Sequence, residues 1–96
     1  MEIIWSPQAK ESLTQTLEYW DIHNDSTEYS DKIIRELRLL LQELSSKPIY
    51  IGRYIEKMDL YVRTILKGRF LLYFQVKEEI IEIQHFRSSK QESIEI

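Results

Sequence analysis

The chain of 96 residues contains no cysteine, two glycines, two prolines and two histidines. Without cysteine there is no disulfide framework and no thiolate zinc site. Two histidines, His23 and His85, are too few for a convincing metal cluster. The scarcity of Gly and Pro argues against a disordered segment. Neither a long apolar run nor a basic-then-apolar leader is visible, so a soluble, cytoplasmic protein is expected. A chain this short buries one core, and residues 1–96 are read as one domain.

Positive charge is scarce in the first half. Residues 1–46 hold four Lys/Arg against nine Asp/Glu, while residues 47–96 hold nine against seven. The halves therefore carry −5 and +2, and the whole chain −3. Proteins that depend on phosphate attraction usually show a stronger positive field, so any nucleic-acid contact has to be local.

Pattern divides the chain cleanly. Glu2-Ile-Ile-Trp5 is β-prone. Ser6-Pro7 supplies an N-cap and a first-turn proline, and Ala9, Leu13, Leu17 and Trp20 recur at helical spacing, which predicts a helix over roughly 7–22. Asp25 and Glu28 have the spacing of a capping box. Tyr29, Ile33, Leu37, Leu41 and Leu44 form the stripe of a second helix, widened by Ile34 and Leu40, and Ser45-Ser46-Lys47-Pro48 closes it. Strands are expected at about 49–55, 60–66, 69–76 and 80–87. The order β-α-α-β-β-β-β predicts an α+β fold with a two-helix hairpin on one face of an antiparallel sheet of about four to five strands.

Strand register follows from the turns. A two-residue turn at Lys67-Gly68 sets Ile65 opposite Phe70, Arg63 opposite Leu72 and Tyr61 opposite Phe74. A two-residue turn at Glu78-Glu79 sets Val76 opposite Ile81, Gln75 opposite Glu82 and Phe74 opposite Ile83. Continued without interruption, it sets Tyr73 opposite Gln84, Leu72 opposite His85 and Phe70 opposite Arg87. Side chains alternate along a strand, so this register gathers Arg63, His85 and Arg87 on one face where the apolar core ends.

Each of these residues has an ordinary structural reading beside its chemical one. Arg63 inside a strand could pair with a Glu such as Glu56 or Glu82, or bind phosphate bidentately. His85 could exchange protons near neutral pH, although a lone strand His is more often structural. Arg69 opens a strand beside a turn, and Arg87 and Lys90 extend a basic run. Tyr61, Tyr73 and Phe86 are half-buried sheet aromatics or stacking platforms for bases. There is no Gly-rich phosphate loop, paired-His zinc motif or Ser/His/Asp signature.

Nearly the whole chain resembles the RelE/ParE toxin superfamily of bacterial type II toxin–antitoxin systems. The likeness lies in the opening strand into Ser6-Pro7-Gln8-Ala9, the helical pair, the basic strand before a Gly turn, Leu72-Tyr73, and the ending Ile83-Gln-His85-Phe86-Arg87-Ser-Ser-Lys90-Gln91. The family's aromatic–Arg order after the turn Gly is reversed here as Arg69-Phe70. The resemblance implies a growth-inhibiting toxin neutralised by a cognate antitoxin. RelE-like members are ribosome-dependent mRNA endoribonucleases (mRNA interferases) that need no metal or other cofactor. ParE-like members inhibit DNA gyrase without catalysis, and an inactive antitoxin-binding homologue is a third possibility. Under the ribonuclease reading, Arg63 matches the basic strand position and His85 lies near the catalytic His of YoeB-like members. Arg63, His85 and Arg87 are then the catalytic candidates, and Arg69, Lys90 and Tyr61 the substrate-binding ones.

Overall fold

The computed structural model describes residues 1–90. Strand β1 (Glu2–Trp5) leads into helix α1 (Pro7–Asn24) and helix α2 (Glu28–Ser45), and strands β2 (Arg53–Ile55), β3 (Leu60–Ile65), β4 (Phe70–Lys77) and β5 (Ile80–Ser88) follow. The five strands form one sheet in the order β1-β5-β4-β3-β2. The sheet is antiparallel from β5 to β2 and parallel where β1 joins β5, because the helical hairpin carries the chain back between them.

Ser6 caps α1 as its sequence suggests, its hydroxyl accepting from the Ala9 N–H at 3.0 Å. The helix runs two residues past the expected end, to Asn24. Asp25 then adopts a left-handed conformation (φ 49°) and closes α1 through its backbone N–H. It therefore does not form a capping box with Glu28; α2 starts after Thr27, and the Ser26 hydroxyl accepts from the Glu28 N–H at 3.1 Å.

Helix α2 buries Ile33, Leu37, Leu40 and Leu44 against Ile65, Phe70, Leu72, Phe74, Ile81, Ile83 and Phe86 of the sheet. From α1 only Ala9 is fully buried, with Leu13, Leu17 and Trp20 partly covered. Residues 49–52 are not strand, so β2 is shorter than expected. Here the chain approaches β3 so closely that a Cβ on Gly52 would stand 2.9 Å from the Val62 carbonyl oxygen.

The β3–β4 turn has positive φ at both Lys67 (55°) and Gly68 (85°), as a type I′ hairpin turn demands. The expected pairs of Tyr61 with Phe74, Arg63 with Leu72 and Ile65 with Phe70 all form. The β4–β5 hairpin also keeps its expected pairs from Val76–Ile81 to Phe74–Ile83. Beyond that the register shifts: a β-bulge leaves Gln84 with no residue opposite it on β4, Tyr73 faces His85, Leu72 faces Phe86, and Phe70 faces Ser88. The uninterrupted register would have turned His85 toward the helices and Phe86 away. The bulge puts Phe86 into the core instead, 5.5 Å from Phe70 in parallel stacking. Burying a phenyl ring contributes about 1.5–3 kcal/mol, whereas burying an imidazole without partners costs free energy, and that difference favours the bulged register.

Candidate functional site

The sheet face away from the helices carries a small apolar cluster of Ile55, Leu60, Val62 and Tyr73. Across it, Arg53 faces Val62, Val62 faces Tyr73 and Tyr73 faces His85. In the next row Thr64 faces Leu71 and Leu71 faces Arg87. His85 and Arg87 therefore project as neighbours from the same open face. The His85 ring meets Tyr73 edge-on, with centroids 6.1 Å apart.

Both residues are half-buried, and among the described residues neither the imidazole nor the Arg87 guanidinium forms a hydrogen bond or ion pair. Burial lowers the His85 pKa below the ordinary 6.5, and the Arg87 charge lowers it further. The imidazole is thus neutral at pH 7 and able to accept a proton. Beside it stands a cation whose planar donors match a phosphate or carboxylate. A partly buried guanidinium with no partner among the described residues is one that an anion would complete.

The bulge separates the three residues expected to cluster. Arg63 lies on the helix-facing side, opposite Leu72. Its guanidinium pairs with Glu43 of α2 at 2.9 Å, rather than with Glu56 or Glu82, and donates to the Tyr50 and Ile51 carbonyls at 3.2 and 3.3 Å. It also sits over the Tyr50 ring, 5.3 Å from the centroid. Arg63 thus clamps the segment before β2 onto α2. Tyr61 shares that side, partly buried between Tyr54 and Phe74. Arg69 and Lys90 meet elsewhere, in a cleft at the end of the sheet. Gln91, the close of the family-like ending, lies outside the described residues.

Arg53 joins these surfaces without having been singled out in the sequence, and Trp20 and Tyr29 do so after being read there only as helix-stripe residues. Arg53 was legible only through the pairing of β2 with β3. Trp20 and Tyr29 flank a three-residue helix connection, a spacing that brings their rings within 4.7 Å. No group of three His, Asp or Glu side chains that could hold a metal occurs among the described residues.

No protein-family model matches the chain, and no curated protein matches it. Among solved structures it is similar to a chain of the chromosomal ParDE TA system from P. aeruginosa, at 19% identity and a TM-score of 0.74, over 92% of this chain and 95% of that one. The two-helix hairpin on a five-stranded sheet is a ParE-like fold.

Proposed function

We propose, from this ParE-like fold and the face it leaves open, that the chain is the toxin of a type II toxin–antitoxin system and cleaves mRNA at His85 and Arg87. The observation that carries the cleavage reading is the half-buried Arg87 guanidinium with no partner among the described residues, set beside a neutral imidazole. His85 takes the proton from a ribose 2′-OH as its oxygen attacks the adjacent phosphorus. Arg87 holds the phosphate oxygens and stabilises their growing charge. The 5′-oxygen leaves with a proton from water, giving a 2′,3′-cyclic phosphate and a 5′-hydroxyl. In this assignment Arg63 supports the fold instead of touching the phosphate.

The antitoxin surface is the groove between the helices and β1. It has a volume of about 560 Å³ and is walled by Ile3, Trp5, Leu13, Leu17, Leu37 and Leu41. Lys10 and Arg38 also line it. An amphipathic antitoxin helix would bury its apolar face there and set acidic residues against these cations.

A second reading, gyrase inhibition without catalysis, is favoured by one observation. Arg63, the strand cation of the expected catalytic set, is already engaged by Glu43 and two carbonyls. Purified protein added to translating ribosomes separates the two. Cleavage within codons that is lost in His85→Ala and Arg87→Ala supports the ribonuclease. Intact mRNA together with inhibited DNA supercoiling would transfer the assignment to gyrase.

A further inference from the structure

At the end of the sheet, on its helix side, the start of β4 and the end of β5 open against the helical hairpin. The cleft measures about 560 Å³ and is lined by Tyr19, Trp20, Tyr29, Arg69 and Lys90 among others. Trp20 packs on Tyr29 at 4.7 Å between centroids, and Tyr19 meets Trp20 edge-on at 5.1 Å. Tyr19 stacks on His23 at 5.4 Å between centroids, yet it is 57% exposed, so part of its ring is accessible to a ligand.

Arg69 donates to the Tyr29 hydroxyl at 3.3 Å, which ties the guanidinium to the aromatic wall while engaging one of its five donors. The Ser89 N–H donates to the Arg69 carbonyl at 2.8 Å, so the chain leading to Lys90 runs beside Arg69. Both cations are exposed, and neither is ion-paired among the described residues.

A purely apolar ligand gains nothing from two unpaired cations, and a bare anion gains nothing from three clustered rings. A planar ring joined to an anion uses both, and the cleft falls within the roughly 300–1,000 Å³ typical of small-ligand sites. We propose that the cleft binds one nucleotide of an RNA strand, its base against Tyr19, Trp20 and Tyr29 and its phosphate on Arg69 and Lys90.

The assignment to RNA rests on the cleavage reading and adds a position to it. Arg87 faces Leu71 on the open side, and the next residue, Ser88, faces Phe70 on the cleft side. A strand held at His85 and Arg87 would need only to round the sheet end to place a neighbouring nucleotide in the cleft.

The test is a fluorescence titration of the full chain with a 2′-O-methyl RNA tetramer, which lacks the attacking hydroxyl. Trp20→Phe identifies the responding ring, since Trp5 lies on β1. A saturable change is expected that vanishes in Trp20→Phe. Loss of one charge-assisted phosphate contact in Arg69→Gln or Lys90→Gln should weaken it about tenfold. Tyr19→Ala should also weaken it. An absent response, or equal affinity in wild type, Arg69→Gln and Lys90→Gln, would overturn the inference. So would adenosine monophosphate binding as tightly as the tetramer, which would make this a free-nucleotide site. Cleavage without tetramer binding removes the cleft and leaves the cleavage reading standing. Tetramer binding without cleavage keeps the cleft and removes that reading.

Discussion

The two faces of the sheet treat the same residue type in opposite ways. On the helix side, Arg63 is satisfied by a carboxylate, two carbonyls and an aromatic ring. On the open side, Arg87 is half-buried and, among the described residues, without a hydrogen bond or ion pair. A strand cation is thus no guide to function by itself. What distinguishes the two is whether the fold has already supplied the anion.

The sharpest way to break this contrast is to remove each side in turn. His85→Ala and Arg87→Ala are expected to lower RNA cleavage at least 10²-fold, the ordinary contribution of a positioned acid–base group, with little change in melting temperature. Residual cleavage near wild type in either variant would contradict the assignment.

Next in size is the exchange that tests the bulge. Phe86→Ala should destabilise the protein by about 3–5 kcal/mol in urea titration, as large-to-small changes at buried phenyl positions do. His85→Phe, one residue earlier, should cost less than about 1 kcal/mol because its side chain is outside the core. Equal costs would mean that the two residues do not face opposite sides. In the groove proposed for an antitoxin, Leu41→Glu should abolish neutralisation by a co-expressed antitoxin while leaving the proposed toxicity.

Smaller effects belong to the clamp and to the imidazole. Arg63→Met should remove about 1 kcal/mol or less, since its partner Glu43 is half exposed, and should preserve cleavage per folded molecule. His85 has a folded pKa below 6.5, so the unfolded chain binds more protons between those two values. Stability should therefore rise with pH through that window and level off above 6.5, the upper bound of the window. His85→Gln should flatten the slope in urea titrations at stepped pH. The acid limb of cleavage should likewise lie below 6.5.

Much of the fold was legible because its signals were local. Ser6-Pro7 starts α1, the stripe from Ile33 to Leu44 buries α2, and Lys67-Gly68 fixes the β3–β4 register. The candidate site was legible only in composition. His85 and Arg87 stood out, but their face depended on a single extra residue, Gln84. Turn chemistry at Glu78-Glu79 sets only the near half of the hairpin. The far half answers to whether Phe86 or His85 enters the core, a tertiary contest that alternation along β5 does not reveal. Asp25 shows the same limit at smaller scale: its spacing to Glu28 suits a cap, yet the end of α1 claims it first.

The most direct measurement is to induce the chain alone in a bacterial host and map mRNA 5′ ends in wild type, Arg87→Ala and Arg63→Met. Cleavage within translated codons is expected in wild type and Arg63→Met and should be lost in Arg87→Ala. Cleavage that persists in Arg87→Ala, or that Arg63→Met alone abolishes in folded protein, would contradict an open-face site and return the chemistry to the helix side of the sheet.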